Sequence, residues 1–194
     1  MVFNGIDIYM TKMFLLLYAD DIVIFADSAE ELQKGLDVLL IYCQRWKLQI
    51  NAQKTNVVIF RIGGARLGNL NFNFHGVPLE IVKSFSYLVV VFSQSGSFSD
   101  AQNNLASKAQ KAIFKLNNYL YNCPNVTVKH RLDLFDKLII PILNYSCEGW
   151  GFHRAIHVER VHTHYCKRTS LVKRCTQHDF VYGTLGRLDL TYNR

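Results

Sequence analysis

Two adjacent carboxylates in an otherwise apolar run constrain this chain more than any other feature. Asp20 and Asp21 interrupt a stretch from Met13 to Phe25 that has no helical period. Such a stretch predicts two buried β-strands with the aspartates at the tight connection of a hairpin. At a turn both side chains can reach one neighbourhood, and carboxylates held on sheet backbone are ligands that suit Mg²⁺. A simple polar hairpin turn is the alternative interpretation.

The composition indicates a globular protein. Of the 194 residues, 49% are hydrophobic and 19% are charged, which is enough for one sizeable core or two small ones. The apolar run is much shorter than the roughly 20 residues of a membrane span, and no signal-peptide pattern is evident. We therefore expect an intracellular, soluble protein with no membrane partner. The five cysteines are scattered and odd in number, which favours free thiols without disulfide partners.

Basic residues concentrate in the second half of the chain. Residues 1–100 carry 8 Lys and Arg against 9 Asp and Glu, whereas residues 101–194 carry 14 against 6. A basic half beside an acidic hairpin suits a nucleic-acid enzyme that grips phosphates and performs metal-assisted chemistry. Positive charge is also common in proteins that bind no nucleic acid, so the charge balance alone does not decide the function.

Strand patterns surround a single helix in the first half. Residues 2–12 have the pattern of a loop or incomplete strand. A Ser28/Glu31 capping box precedes a leucine-rich period of three and four, which predicts an amphipathic helix over 29–46, packed on the sheet that carries the aspartates. The remaining first-half predictions are strands at 48–50 and 54–60 around a turn at 51–53, an exposed loop marked by Gly63, Gly64 and Gly68, strand pairing from Phe72 to Val89, and a turn at His75-Gly76.

From Ser97 onward the apolar period becomes helical. A long helix is predicted with an apolar stripe from Leu105 to Leu120, a second from about Thr127 that Pro141 ends or kinks, and a third over 157–172. The side chains expected to point inward on the second and third helices are Leu132, Phe135, Leu138, Ile139, Val158, Val161 and Tyr165, and those expected on the polar face of the third are Arg160, His164, Lys167 and Arg168.

Three short motifs resemble the last three palm motifs of reverse transcriptases in order and spacing. They are Tyr18-Ala19-Asp20-Asp21, the stretch from Trp46 to Asn51 that leads to Lys54-Thr55, and Phe85-Ser86-Tyr87-Leu88-Val89. The chain resembles in particular the polymerases of non-LTR (LINE-like, jockey-type) retrotransposons over nearly its whole length. The resemblance implies an α+β fold, with a partial palm (antiparallel sheet and covering helix) at residues 1–96 and a helical thumb and following segment at residues 97–194.

The resemblance assigns the Asp-Asp hairpin to catalysis. In reverse transcriptases this turn holds Mg²⁺ ions that bridge the primer 3′-hydroxyl and the incoming nucleotide triphosphate. By this match Asp20 is the direct metal ligand, Asp21 the supporting one, and Tyr18 lies beneath the primer end. Lys54 matches a lysine suspected of protonating or orienting the pyrophosphate leaving group, with a solvated turn lysine as the alternative. The implied partners are an RNA template, a DNA primer and dNTP, in the cytoplasm or the nucleus.

Two further elements match regions that hold the primer and template. Tyr87 and Leu88 match the primer-grip element, but Val89 stands where the family usually has glycine, which permits a close approach or an unusual backbone angle. The thumb-like helix carries three lysines on one face, expected along the duplex backbone or, alternatively, on an ordinary solvated face: Lys108, Lys111 and Lys115.

The family's catalytic centre also uses an aspartate from an upstream strand. None precedes Met13 in a matching position, and Asp7, the only other carboxylate before the hairpin, lies on the wrong strand for it. Metal ions that share only Asp20 and Asp21 would be weakly held, so we expect no appreciable polymerase activity from this chain alone. Two functions stay open: a fragment of an RNA-directed DNA polymerase, and a non-catalytic nucleic-acid-binding remnant of a mobile element.

The histidines and cysteines of the last third also suggest zinc. Their spacings contain no Cys-x-x-Cys pair, so surface and core histidines are the favoured account. The residues concerned are His153, His157, His162, His164, Cys166, Cys175 and His178.

Overall fold

The computed structural model describes residues 5–8, 11–61, 69–123, 125–151 and 154–190. The chain divides into two compact units, one ending at Lys83 and one beginning at Ser84. This division lies before the Tyr87-Leu88 motif. The palm range 1–96 and the thumb range 97–194 stay a prediction. The predicted loop glycines Gly63, Gly64 and Gly68, and His153, lie outside the described residues.

The first unit combines short strands with one long helix. The elements are β1 (Ile6–Ile8), β2 (Thr11–Met13), β3 (Leu15–Tyr18), β4 (Asp21–Ile24), α1 (Ala29–Trp46), a 3₁₀ helix (Ala52–Lys54), β5 (Asn56–Val58), β6 (Phe72–Phe74) and β7 (Val77–Val82). β1 pairs with β2 and β3 pairs with β4, each pair antiparallel. The remaining strands form a three-stranded sheet in the order β5-β7-β6, in which β5 and β7 are parallel and β7 and β6 are antiparallel.

The predicted hairpin around the aspartates is confirmed, but the prediction that its strands are buried is wrong. β3 and β4 pair antiparallel from Leu15↔Ile24 to Tyr18↔Asp21. Leu17 is 67% exposed, because in the described part of the chain β3 and β4 form a ribbon of two strands only, which presents both faces. Residues 6–8 and 11–13 pair antiparallel as β1 and β2, where we expected a loop or incomplete strand. Three-residue strands are too short to show an alternating pattern.

Helix α1 forms at the predicted bounds. The Ser28 hydroxyl accepts a hydrogen bond from the Glu31 N–H, which caps the helix. The helix packs on the sheet β5-β7-β6, not on the hairpin as predicted, and only Ile24 at the end of β4 packs at the margin of this core. The Gln33 amide explains the pairing with β6, since it donates to the Asn73 carbonyl and accepts from the Asn73 N–H. The buried core residues of this unit are Leu36, Val57, Phe72, Phe74 and Leu79.

The predicted strand at 48–50 is not present, and the strand at 54–60 is shorter than expected. Lys47 ends α1 in the left-handed conformation, and the Leu48 N–H returns to the Cys43 carbonyl, so it is unavailable to a sheet. The Asn51 side chain then accepts from the backbone N–H groups of Gln53 and Lys54 and starts the 3₁₀ helix. The strand consequently begins only after this turn.

The second unit is a short hairpin followed by helices. We predicted three helices in this unit, and six are described, because the chain after Leu138 forms several short helices. Pro141 lies in the first turn of one of them, after the break at Ile139 that its position predicts. The elements are β8 (Ser84–Tyr87), β9 (Val90–Ser93), α2 (Ser99–Tyr121), α3 (Val128–Leu138), α4 (Ile140–Leu143), α5 (Cys147–Trp150), α6 (Ile156–Thr169) and α7 (His178–Leu185).

A single core joins the helices of this unit. Most predicted inward residues are confirmed, with Phe135, Val158 and Tyr165 at most 3% exposed. Leu138 is an exception at 51% exposed, because α3 ends there and the neighbouring Ile139 enters the core instead. Lys167 was predicted on the polar face and is only 8% exposed, since its ammonium donates to the Arg174 carbonyl. Helices thus bury more of α6 than its apolar stripe alone indicates.

None of the described helices is long and apolar enough to cross a bilayer. All five cysteines are free thiols, of which Cys43 and Cys166 are buried and Cys123 and Cys175 are exposed.

Candidate functional site

The turn of the β3–β4 hairpin presents the two aspartates to solvent. Tyr18 pairs with Asp21 across the ladder, so Ala19 and Asp20 form a two-residue turn. Ala19 has a φ of 51°, at the first central position, where hairpin turns with one positive φ favour glycine. Asp20 lies at the tip and Asp21 opens β4, and both side chains are exposed.

The two carboxylates are the candidate metal ligands of this turn. Neither takes part in an ion pair within the described residues, whereas Asp7 lies 3.9 Å from the Lys12 ammonium. Mg²⁺ takes one or two protein carboxylates and completes its shell with water and phosphates. Asp20 and Asp21 are adjacent and exposed, so they match the protein carboxylates of such a shell. In the part of the chain that the structure describes, no group of three or more His, Cys, Asp or Glu side chains could hold a metal ion. This covers the predicted histidine and cysteine candidates other than His153.

Lys54 closes the 3₁₀ helix that follows α1. Its backbone N–H is held by the Asn51 side chain, and its own side chain is exposed. No described ion pair joins it to Asp20 or Asp21. The proposed contact of Lys54 with a leaving group therefore stays a prediction.

The Tyr87-Leu88 motif forms the tip of the β8–β9 hairpin. Tyr87 pairs with Val90, and both turn residues, Leu88 and Val89, have positive φ, of 47° and 75°. This conformation explains why glycine suits the position of Val89, because a β-branched side chain in the left-handed region is strained. Two helix-side groups hold the turn: the Tyr145 hydroxyl donates to the Leu88 carbonyl at 3.1 Å, and the Asn104 amide donates to the Val89 carbonyl at 3.5 Å.

The lysine face of α2 starts next to this turn. Lys108, Lys111 and Lys115 are all exposed, opposite the buried stripe that contains Leu105, Ala109 and Leu116. Asn104 lies one helical turn before Lys108, and Tyr119, 77% exposed, lies four residues after Lys115. Hairpin tip, lysines and Tyr119 thus follow one another along one surface of the second unit.

Sequence reasoning missed three residues at this surface. Asn104 and Tyr119 were detectable, since they continue the spacing of three and four residues that links the lysines. Tyr145 was not, because 57 positions separate it from Leu88, and no local pattern relates them.

The buried histidine of α6 belongs to a hydrogen-bonded core network. His162 stacks on Tyr182 at 5.0 Å between ring centroids, and its Nδ1 lies 3.2 Å from a Glu159 carboxylate oxygen. That same oxygen accepts from the Tyr182 hydroxyl, and the other accepts from the Leu190 N–H. Burial raises the pKa of Glu159, but the hydrogen bonds from His162 and Tyr182 outweigh it, so that the pKa is lowered overall. Within the described residues, His162 is therefore a buried core histidine.

Comparison with known proteins points to one family. Residues 2–92 match the family model described as reverse transcriptase (RNA-dependent DNA polymerase). A transposon-derived protein of Caenorhabditis elegans is 30% identical over 151 residues, 75% of this chain and 51% of that protein. A Drosophila melanogaster protein from the transposon X-element, whose name describes an RNA-directed DNA polymerase, is 23% identical over 92% of this chain and 20% of its own length.

A third relative is the RNA-directed DNA polymerase from mobile element jockey of Drosophila funebris. It is 22% identical over 77% of this chain and 17% of its own length. This chain therefore spans about half of the first relative and about a fifth of the polymerases. No solved structure matches it significantly. The resemblance inferred from the motifs is confirmed: residues 2–92 match the reverse transcriptase family model, and the chain is similar to the polymerases of transposons that include the non-LTR element jockey.

Proposed function

We propose that this chain is a segment of the reverse transcriptase of a non-LTR retrotransposon. Residues 1–96 act as part of the palm, and residues 97–194 act as a helical thumb and following segment. The observation that carries the proposal is the exposed Asp20-Asp21 turn inside the residues that match the family. The reaction is nucleotidyl transfer from dNTP to the 3′-hydroxyl of a DNA primer, directed by an RNA template.

In this function the hairpin residues position the metal and the primer end. Mg²⁺ bound at the turn would activate the primer hydroxyl and neutralise the triphosphate. Asp20 at the tip is the direct ligand, Asp21 the supporting one, and Tyr18 underlies the primer end. Lys54 orients or protonates the pyrophosphate. The exposure of all four side chains supports these roles, since each must reach a substrate.

Metal binding at the turn can be measured without activity. We expect the backbone amide resonances of residues 18–22 to shift when Mg²⁺ is added to the full chain, and the shifts to be lost in Asp20→Asn/Asp21→Asn. Asp27→Asn is a matched control, since Asp27 is also exposed and lies outside the turn. Shifts that persist in the double variant, or that are equally lost in the control, would contradict the metal assignment.

The second unit holds the template–primer duplex. Its hairpin tip steadies the primer through Tyr87 and Leu88, and the adjacent lysines follow the phosphate backbone without sequence preference. The hydrogen bond from Asn104 to the Val89 carbonyl supports this, because it places the tip at the start of the lysine row.

Replacing Lys108, Lys111 and Lys115 by Gln tests the duplex surface. We expect the affinity for an RNA–DNA duplex to fall about tenfold or more at low salt, because three phosphate contacts are removed. The affinity should also depend less steeply on salt concentration. A charge-matched control changes three exposed residues elsewhere in the unit, Lys129, Arg168 and Lys173, to Gln. Equal affinity of the two triple variants for an RNA–DNA duplex would show that the lysine face is not the binding surface.

A polypeptide of residues 1–194 is proposed to lack appreciable polymerase activity by itself. Two adjacent carboxylates hold and orient metal ions poorly, and the described residues bring no third group to them. The same observation favours a second function, a nucleic-acid-binding remnant whose basic second unit works without the hairpin. Primer extension on a primed RNA template with Mg²⁺ tests the point: incorporation that disappears in Asp20→Ala would overturn the proposed inactivity and exclude the remnant.

A further inference from the structure

A cleft near the end of the chain gathers positive charge away from the lysine face. It lies along α6 and the segment before α7, and has a volume of about 470 Å³, within the roughly 300–1,000 Å³ of ligand cavities. Arg154, Arg160, Lys167 and Arg174 line it. We call it the C-terminal cleft.

The cations of the cleft have no carboxylate partner. Although two acidic residues share the lining, no described ion pair involves any of these four basic side chains. Both carboxylate oxygens of Glu159 already have hydrogen-bond partners. One lies against the Tyr182 hydroxyl and His162 Nδ1, and the other accepts from the Leu190 N–H. Asp189 is the remaining acid. Burial and the neighbouring Glu159 raise its pKa, and no described ion pair joins it to any of the four cations.

Lys167 gives the cleft a buried cation in addition to its exposed arginines. Its side chain is 8% exposed, and its ammonium group has one acceptor in the described residues, the Arg174 carbonyl at 2.9 Å. An ammonium has three donors, so two remain for a ligand. A buried cation without an anionic partner is costly, and an anion in the cleft would remove that cost.

We propose that the C-terminal cleft binds phosphate groups of a single nucleic-acid strand. Guanidinium groups match phosphate oxygens in bidentate fashion, and the exposed Arg154, Arg160 and Arg174 present three of them around the buried ammonium. The lining contains two imidazole rings, His164 and His178, and no Phe, Tyr or Trp among the described residues. The proposed contacts are to phosphate groups, which carry no sequence information, so we expect binding that is independent of sequence. The cleft is too small for a duplex, which distinguishes its ligand from that of the lysine face. The inference rests on the proposed function in taking nucleic acid as the source of the phosphate.

The test uses the full chain and a labelled short oligouridine, followed by fluorescence anisotropy over a salt series. The variant changes Arg154, Arg160 and Arg174 to Gln, and leaves the buried Lys167 intact so that folding is kept. We expect affinity to fall about tenfold or more at low salt and the slope of log K against log salt to flatten by about 2, from three lost contacts at about 0.7 each. The charge-matched control for the cleft changes three exposed lysines outside its lining, Lys34, Lys129 and Lys137, to Gln. Its affinity should stay within about twofold of the wild type, although the net charge change is equal.

Each other outcome overturns the proposal. Equal losses in the two triple variants would mean a diffuse charge effect, and no loss in either would mean that the strand binds elsewhere. Pyrophosphate that binds the cleft in calorimetry while the oligouridine is unaffected by the arginine changes would identify a free anion as the ligand. The RNA–DNA duplex assay separates this inference from the proposed function: duplex binding that depends on the lysine face and survives the arginine changes leaves that function intact whatever the oligouridine does.

Discussion

The phenolic hydroxyl of Tyr145 donates a hydrogen bond of 3.1 Å to the backbone carbonyl of Leu88. It links the connection between α4 and α5 to the tip of the β8–β9 hairpin. The buried Trp150 fixes the backbone at Tyr145, because its indole N–H donates to the Tyr145 carbonyl at 3.0 Å. The hairpin that carries the Tyr87-Leu88 motif is thereby fixed to the helices of the second unit.

Removing this hydroxyl should destabilise the second unit. Tyr145→Phe leaves the Leu88 carbonyl without its donor, and we expect the free energy of unfolding to fall by about 1 kcal/mol in urea denaturation. Tyr119→Phe is the control, since Tyr119 is 77% exposed, and should change stability little. Equal effects of the two changes would show that the bond to Leu88 contributes nothing.

Glycine at position 89 should stabilise the hairpin. Val89 has a φ of 75° and a side chain that is 44% exposed, so the change relieves strain and loses little packing. We expect Val89→Gly to raise the free energy of unfolding by about 1 kcal/mol, the lower end of the cost of such a conformation. Val91→Gly, in the strand that follows, should lower it instead. A loss of stability in Val89→Gly would contradict the strain argument.

Acid should weaken the core network around Glu159. Its pKa is lowered in the folded chain from the ordinary 4.5 by the hydrogen bonds that outweigh burial. A carboxyl group with a lowered pKa adds stability that is fully present above the unfolded pKa and is lost as pH falls through the folded pKa. Urea denaturation at pH values from about 6 down to about 3 should therefore show a falling free energy of unfolding. Glu159→Gln should flatten this dependence, whereas Glu148→Gln, at an exposed position, should leave it as in the wild type.

The five thiols should differ widely in reactivity. Burial raises the pKa of Cys166 to about 11, and the thiolate is the reactive form, so Cys166 should resist alkylation in the native chain. Cys123 and Cys175 are exposed and should react first. Iodoacetamide labelling followed by mass spectrometry measures the order, with a urea-unfolded sample as the reference in which all five react. Early labelling of Cys166 in native protein would show that α6 is not packed as described.

Local patterns predicted the elements of the candidate site well. The capping box and leucine period placed α1, the interrupted apolar run placed the Asp20-Asp21 turn, and the His75-Gly76 pair placed the turn between β6 and β7. Each of these depends on neighbours within a few residues, so the information lies in a short window. The departure at Val89 was likewise visible, because a left-handed turn position selects its residue locally.

What the sequence by itself determined is helix α1, the Asp20-Asp21 turn and the lysine spacing on α2. Tertiary structure alone decided which sheet α1 covers, that the aspartate hairpin is exposed, that Lys167 is buried and Leu138 is not, and that Tyr145 reaches Leu88. The physical reason is range. Periodicity and capping depend on residues within one or two helical turns. Burial and long-range hydrogen bonds depend instead on which surfaces pack together, and the residues next to a position in the sequence do not determine that.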